Sequence, residues 1–394
     1  MSYPDPYLQN FDPSKAPTIA LKPTPQTSAI RIALGIIALL IALVLGLLVL
    51  LVIGVETGPI PFMLGLVTAT IPVPLYVMLV LWIDRYEAEP LWMLATAFLW
   101  GALVAAFFAF LLNTIAGITV AVVAENPEAG EVFSTVISAP IVEETAKALI
   151  LLIFFFWCRD EFDGVIDGIV YASLVGLGFA MTENVLYYGK AAMGGGTTLT
   201  ITFFIRGALA PFSHPLFTSL TGIGLGLARQ SRNAAVKVIS PILGLFMAVF
   251  LHWLWNASAT FGGGAGFLII YLIVMVPAFA IMLVVIIVAL SREGQVIRQF
   301  LLSDVERGFF TPDEYEQLCS VFRRMGSSFN AFSQGGMSSW RTRRRLHQLA
   351  SELAFHRSRV SRGIHSSKHN IHELEAAYLH TLQNLLNESR VASR

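Results

Sequence analysis

The stretch Pro140-Ile-Val-Glu143-Glu144-Thr-Ala-Lys147-Ala-Leu-Ile-Leu-Leu-Ile-Phe-Phe-Phe-Trp157 places three ionisable side chains in a segment otherwise apolar enough to cross a bilayer. A charged side chain at the bilayer centre costs at least about 2.5 kcal/mol, so it normally faces the bundle interior and marks a functional site. On a helix, Glu143 and Lys147 share one face. The stretch predicts a buried carboxylate partly neutralised by its own ammonium, with a structural ion pair between helices as the alternative.

The composition is that of a polytopic membrane protein. Of the 394 residues, 55% are hydrophobic and 13% are charged, and the mean hydropathy is +0.68. These values lie well outside the range of soluble globular domains. The two cysteines, Cys158 and Cys319, offer neither a disulfide framework nor a cysteine-rich metal site. We therefore predict an all-α membrane bundle of about eight transmembrane helices, with a cytosolic α-helical C-terminal tail.

The eight helices follow from apolar runs long enough to span a bilayer. The runs lie near residues 32–55, 60–83, 91–123, 132–157, the glycine-rich stretch that ends near 189, 199–228, 238–260 and 267–290. Basic residues precede the first helix, lie between the sixth and seventh, and are frequent after residue 290, whereas the loop 125–131 is acidic. The positive-inside rule then predicts a multi-pass membrane protein with both termini cytosolic.

Three regions differ in composition along the chain. Residues 1–29 contain six prolines and few aliphatic side chains, which predicts a disordered cytosolic tail. Residues 30–290 form the predicted membrane domain, and 291–394 the cytosolic helical tail. Within that tail, Thr311 and Glu314 form a capping-box pattern, residues 326–339 are typical of a linker, and helices are expected over 340–360 and 371–388.

The arginine-rich run 341–345 could contact anionic lipid or nucleic acid, but a solvated face beside the membrane is the plainer interpretation. We expect the lipid bilayer as the surrounding partner, a cytosolic protein as partner of the tail, and no nucleic acid.

Histidine placement is uneven, because six of the eight histidines lie in the tail and only His214 and His252 lie in predicted membrane helices. Histidine accepts and returns protons near neutral pH. Asn256 shares a helical face with His252, and the fifth helix adds Glu183 and Asn184. Taken singly, these residues have structural explanations as helix contacts or ion pairs. Together they predict a polar cavity that water can enter.

Hydrolysis of an amide bond is the chemistry that such a set favours, because a carboxylate can take a proton from water while histidine or asparagine holds the oxyanion. The chain has no phosphate-binding glycine loop and no Gly-x-Ser-x-Gly turn. Histidine and carboxylate also suit a divalent metal such as zinc, with Glu143, His214 and His252 as candidate ligands. These residue types alone do not separate a glutamate mechanism from a metal mechanism.

The motifs resemble those of the PrsW family of intramembrane proteases, which is related to the CAAX prenyl endopeptidases and bacteriocin-processing membrane proteases. The matching motifs are Glu143-Glu144-x-x-Lys147, Phe179-x-x-x-Glu183-Asn184, His214 and His252-x-x-x-Asn256. The third motif departs from the family pattern, which tends to place an acidic or small polar residue four positions after its histidine, where this chain has Thr218. The resemblance covers roughly residues 60–260.

This resemblance implies roles for individual residues. Glu143 would be the base toward water, supported by Glu144 and Lys147. Glu183 and His214 would complete water activation, and His252 with Asn256 would bind the oxyanion. Asn184, next to Glu183, would belong to the same catalytic set. The resemblance also implies a membrane-anchored protein substrate, such as an anti-sigma factor, and a location in the inner (plasma) membrane of a bacterium.

Two other classes of function fit the same residues. A proton-coupled transporter could use them as a proton relay past the helix that Pro211 and Pro215 interrupt, although the sequence shows no internal symmetry. A non-catalytic membrane scaffold, whose basic tail recruits partners, is the third possibility.

Overall fold

The structure is a computed structural model that describes residues 29–159, 161–361 and 371–392. These residues form α-helices and short π-helical turns, and the described ranges contain no strand. The predicted all-α class is confirmed. The N-terminal tail expected over residues 1–29 lies outside the described residues apart from Ala29, which begins the first helix.

The described chain divides into two compact units. The larger contains Ser28–Asp84 and Glu89–Ile286, and the smaller contains Arg85–Ala88 and Ile287–Arg394. The helices are α1 Ala29–Thr57, α2 Pro59–Thr70, α3 Val73–Ile83, α4 Leu91–Leu99, α5 Ala106–Val123, α6 Pro127–Phe133, α7 Ala139–Trp157, α8 Val165–Met193, α9 Gly196–Phe203, α10 Ser213–Gln230, α11 Ala234–Phe261, α12 Gly263–Ile270, α13 Val276–Glu306, α14 Pro312–Cys319, α15 Val321–Ser361 and α16 Ile371–Ala392. The π-helical turns are Trp100–Ala105, Ser134–Ser138, Phe204–Leu209 and Tyr271–Met275.

Among the described residues, six helical segments are long and apolar enough to cross a membrane. They are Ala33–Thr57, Pro59–Ile83, Leu91–Val123, Val165–Met193, Ala234–Phe261 and Gly263–Glu306. The predicted number of eight is therefore not confirmed. Of the remaining two runs, 132–157 carries three ionisable residues, and 199–228 leaves the helical conformation at Ala210, next to Pro211. Because proline lacks an N–H and its ring clashes with the preceding turn, it interrupts that helix.

Helix α8 forms the centre of the larger unit, where it packs against α2, α4 and α10. Its contacts with α10 depend on glycine. A Cβ atom added at Gly168 would lie 2.2 Å from the carbonyl oxygen of Gly222, and one added at Gly222 would lie 2.0 Å from that of Gly168. Small residues at helix interfaces let two backbones approach closely in a membrane. This close approach brings the polar faces of α8 and α10 together.

The Gly168 contact gives a stability prediction. We expect Gly168→Ala to lower the free energy of unfolding by about 1–3 kcal/mol, because the added methyl group meets backbone that cannot rotate away. Thermal unfolding of purified protein in detergent measures this loss. Gly35→Ala is the matched control, since nothing lies within 4 Å of a Cβ at Gly35. Equal melting temperatures for the two variants would show that the helices do not approach each other at Gly168.

The smaller unit has its own apolar core, which includes Leu301, Leu318, Leu353 and Leu382. The capping box at the start of α14 is confirmed: the Glu314 backbone N–H donates to Thr311 Oγ1 at 3.2 Å, and the Thr311 backbone N–H donates to Glu314 Oε2 at 2.8 Å.

The linker predicted over residues 326–339 is wrong, because these residues belong to α15. Only Gly336, with φ 63°, leaves the helical conformation. It divides α15 into a first arm, residues 321–335, and a second arm, residues 337–361. Polar contacts join the arms: Arg324 Nη2 donates to Ser351 Oγ at 2.7 Å, and Ser327 Oγ lies 3.3 Å from His347 Nε2. Burial, reinforced by the Arg324 charge, holds the pKa of His347 well below its usual range. Packing between the arms thus stabilises a helix that the composition alone does not favour.

Candidate active site

Six ionisable residues of the predicted membrane domain come together where α7, α8, α10 and α11 meet: Glu143, Glu144, Lys147, Glu183, His214 and His252. Helix α7 begins directly after the π-helical turn Ser134–Ser138, and Pro140 lies in its first turn. The next turn carries Glu143, Glu144 and Lys147, all of them buried. Such π-helical turns are frequent at functional sites, because the extra residue changes the direction of the side chains that follow.

Lys147 lies at the middle of the cluster with its side chain fully buried. Its Nζ donates to Glu144 Oε1 at 2.9 Å, lies 3.0 Å from His214 Nδ1 and is 3.6 Å from Glu143 Oε2. The ammonium also sits 3.7 Å from the centre of the Phe179 ring. A buried charge is tolerated only when hydrogen-bonded partners surround it. Lys147 therefore joins the two carboxylates and one imidazole into a single unit.

Glu144 is held on both carboxylate oxygens. Oε1 accepts from Lys147 and lies 3.0 Å from His252 Nδ1, and Oε2 accepts from Thr218 Oγ1 at 2.9 Å. An ionised carboxylate only accepts hydrogen bonds, so His252 presents Nδ1–H to it; in a neutral imidazole, this tautomer leaves the lone pair on Nε2. The departure from the family motif thus has a local explanation. Thr218 supplies a donor to Glu144, where an acidic residue would face it with a second negative charge.

Glu183 pairs with one guanidinium group and one imidazole. Its Oε2 accepts from Arg206 Nη2 and lies 2.9 Å from His214 Nε2. Arg206 Nε also donates to Asn184 Oδ1 at 2.6 Å. Glu183 thus forms an ion pair, one of the structural explanations open to it, and the same carboxylate oxygen also reaches His214. Asn184 contacts this arginine rather than the central lysine.

Glu143 differs from the other carboxylates because its Oε2 is buried without a hydrogen-bond partner among the described residues. This oxygen lies 3.8 Å from His252 Nε2, which is too long for a direct hydrogen bond. Its Oε1 accepts a long contact of 3.4 Å from Asn113 Nδ2, and Ser138 Oγ donates to Asn113 Oδ1 at 2.8 Å. Sequence reasoning missed Asn113 and Ser138. The signal for Asn113 is an amide within the apolar third run.

Asn256 lies one turn after His252 on α11, as predicted, but its donor is already engaged. Asn256 Nδ2 donates to the backbone carbonyl of Thr135 at 2.8 Å. That carbonyl belongs to the π-helical turn before α7. Asn256 therefore joins α11 to this turn in the structure, and its role toward an oxyanion stays a prediction.

A divalent metal fits the same residues. Glu143, His214 and His252 each offer one ligand atom, and these atoms lie within 4.8 Å of one another. Two imidazoles and one carboxylate form a zinc donor set that leaves a position for water or substrate. The unpartnered Glu143 Oε2 and the lone pair of His252 Nε2 are free to coordinate. The contact of Glu144 with His252 Nδ1 is the outer carboxylate that commonly orients a metal-bound histidine.

A small cavity reaches the cluster at the interruption before α10. It is lined in part by Asn184, Arg206, Pro211, His214 and Trp255. Asn184, Arg206 and His214 make part of its lining polar. A cavity beside the interruption agrees with the rule that irregular backbone at membrane depth lines a cavity or is buried in protein.

Comparisons with known proteins match the part of the chain that carries this site. The model of the family described as PrsW family intramembrane metalloprotease matches residues 89–282. A protein named Protease PrsW from Geobacillus kaustophilus is 33% identical over 181 residues, which cover 45% of this chain and 74% of that protein. Protease PrsW from Bacillus subtilis is 33% identical over 169 residues, which cover 43% of this chain and 70% of that protein. No solved structure gives a significant match.

Proposed function

We propose that this chain, which belongs to the PrsW family and is a multi-pass intramembrane protease, cleaves a membrane-anchored protein with water that Glu143 activates. The observation that carries the proposal is the pair of buried acceptors, Glu143 Oε2 without a partner and His252 Nε2 at 3.8 Å from it. A water placed off the line between them reaches both atoms at hydrogen-bond distance. Membership of a protease family also argues against the transporter and the scaffold as the main function.

In this mechanism, Glu143 takes a proton from the water, and the remaining hydroxide attacks the carbonyl carbon of the scissile bond. Glu144 holds the imidazole of His252 through Nδ1, so that Nε2 accepts a hydrogen bond from the second O–H of the water. That O–H bond stays intact in the attacking hydroxide. The nearby ammonium of Lys147 keeps the cluster close to neutral. Protonated Glu143 then returns the proton to the leaving amine, which completes the hydrolysis without a covalent enzyme intermediate.

The polar groups on the other side of Lys147 have a supporting role in the proposal. Glu183 and Arg206 orient His214, whose Nδ1 faces Lys147. The resemblance assigns oxyanion binding to His252 and Asn256. His252 can donate from Nε2 only after it has taken a proton, and Asn256 only after it releases the Thr135 carbonyl.

A divalent metal, such as zinc, is the proposed cofactor in the alternative form of the mechanism, in which Glu143, His214 and His252 would hold the metal and Glu143 would be a ligand rather than the base. When bound, it would polarise the carbonyl and lower the pKa of water. For this, His214 must release either Lys147 or Glu183, because both of its ring nitrogens have partners in the structure.

The substrate class is a single-pass membrane protein, of which an anti-sigma factor is one example that the resemblance suggests. The proposed location is the inner membrane of a bacterium with both termini cytosolic. The basic residues at 229, 232 and 237 and in the tail support this orientation.

Cleavage of single-pass proteins by purified protein in liposomes tests the proposed function. We expect wild type to cleave at least one substrate of a panel, and His252→Gln to lower the rate by at least about 10²-fold. The control is His380→Gln in the tail, which we expect to cleave at the wild-type rate. Loss of cleavage on adding a strong chelator, with recovery on adding zinc, supports the metal. Equal rates for wild type and His252→Gln would contradict the proposed site.

A further inference from the structure

The first arm of α15 carries an exposed apolar face that the protease mechanism does not use. Phe322, Met325, Phe329 and Phe332 are 79%, 36%, 72% and 47% exposed. Their spacing of three, four and three residues places them on one side of the helix, which we call the Phe face. The opposite side of the arm is occupied, because Arg324 and Ser327 contact the second arm.

The arms that carry the Phe face are strongly basic. Residues 321–351 contain six arginines and no aspartate or glutamate. Four of these arginines are exposed, Arg323, Arg341, Arg344 and Arg345, and none forms an ion pair within the described ranges. Exposed aromatic side chains together with unpaired arginines are typical of helices that lie in the interface of an anionic membrane.

The chain itself holds these arms at a bilayer surface. The short segment 85–88 belongs to the same compact unit and connects the candidate spans that end at Ile83 and begin at Leu91. The Arg324 guanidinium lies 4.5 Å from the centre of the Tyr86 ring, and Tyr86 Oη donates to the Cys319 carbonyl at 3.1 Å. A connection of so few residues between two spans cannot leave the membrane surface. The arms bound to it therefore stay within reach of lipid headgroups.

We propose that the Phe face inserts into the anionic leaflet of the membrane, with the exposed arginines binding phospholipid headgroups. Charge favours lipid over a second copy of this chain, because two surfaces that each expose four arginines would repel one another. A nucleic acid would satisfy the arginines, but it would leave most of the phenylalanine side chains in water. The docked arm would fix the position of the smaller unit on the bilayer, independently of the protease chemistry.

Site-specific fluorescence in the full-length chain tests this docking. The chain carries Cys158→Ser and Cys319→Ala, with one added cysteine labelled by an environment-sensitive dye. Phe329→Cys reports on the Phe face, and Gln334→Cys, about 140° round the helix, is the matched control. Nanodiscs of phosphatidylcholine alone are compared with roughly 2:1 phosphatidylcholine to phosphatidylglycerol, which has an anionic surface. Lipids with a quencher on the acyl chain report contact with the bilayer.

We expect the Phe329→Cys label to shift to shorter wavelength and to be quenched in anionic discs, while the Gln334→Cys label changes little. Adding Arg341→Gln, Arg344→Gln and Arg345→Gln should move the docking equilibrium on the order of 100-fold toward the free arm. Unchanged thermal unfolding shows that this variant is folded.

Three results would overturn the proposal. The first is a label that stays in water in both kinds of disc. The second is quenching that depends on neither phosphatidylglycerol nor the arginines. The third is a wavelength shift without quenching by lipid, or one that appears only with added oligonucleotide, since either would identify protein or nucleic acid as the occupant.

Discussion

Replacing Lys147 with methionine is expected to destabilise the larger unit by about 3–5 kcal/mol, because removing one partner of a buried ion pair leaves the other charge uncompensated. The ammonium has 0% exposed side-chain area and lies within 3.6 Å of both Glu143 and Glu144. Methionine keeps the length of the side chain but no charge. The measurement is thermal unfolding in detergent, together with cleavage in liposomes, which should be abolished.

Lys190→Met is the matched control for this prediction. Lys190 forms an ion pair with Glu56 at 2.8 Å, but the two side chains are 52% and 43% exposed. Pairs of this kind contribute at most about 1 kcal/mol. If Lys147→Met and Lys190→Met lower the melting temperature equally, the ammonium of Lys147 is not the buried centre of the cluster.

The second large effect is expected at Glu143. Glu143→Gln retains the shape of the side chain and removes the base, so cleavage should fall by about 10³-fold or more. Stability should change little or increase, because this carboxylate has an unpartnered buried oxygen that costs free energy. Initial cleavage rates in liposomes and melting temperatures are measured on the same preparations.

Glu131→Gln provides the control for Glu143→Gln. Glu131 is an exposed carboxylate in α6, so the same substitution there should leave both cleavage and unfolding unchanged. A Glu143→Gln variant that unfolds at much lower temperature and cleaves in proportion to its folded fraction would make Glu143 a structural residue rather than the base.

Much of the candidate site was predictable because its residues are costly in a membrane. Carboxylates, a lysine and two histidines in apolar runs must find partners, and the structure joins Lys147, Glu144, His214 and His252 directly. Helical spacing correctly placed Glu143 and Lys147 on one face. The catalytic roles of these residues stay predictions until cleavage is measured.

Other features depend on packing that residue spacing does not express. Asn113 lies 30 residues before Glu143 on another helix, and only the fold brings its amide to Glu143 and to the Ser138 hydroxyl. Thr218 lacks the acidic character of the motif, yet its hydroxyl binds Glu144.

The tail shows that composition alone does not predict its local structure. The glycine and serine residues over 326–339 predicted a linker, whereas contacts between the two arms of α15 stabilise helix there. The number of spans is also sensitive to local chemistry, because the charges of α7 and the interruption at Pro211 separate two helices from the six more apolar segments.

The most direct test of the central claim is to map the bond that purified protein cleaves in liposomes made in heavy-oxygen water. Mass spectrometry identifies the new termini. We expect a cut within the membrane-spanning segment of the substrate, one heavy oxygen in the new carboxyl terminus, and about 10³-fold less product from Glu143→Gln. The same product formed at the same rate by Glu143→Gln would contradict the claim that this buried cluster is the hydrolytic site.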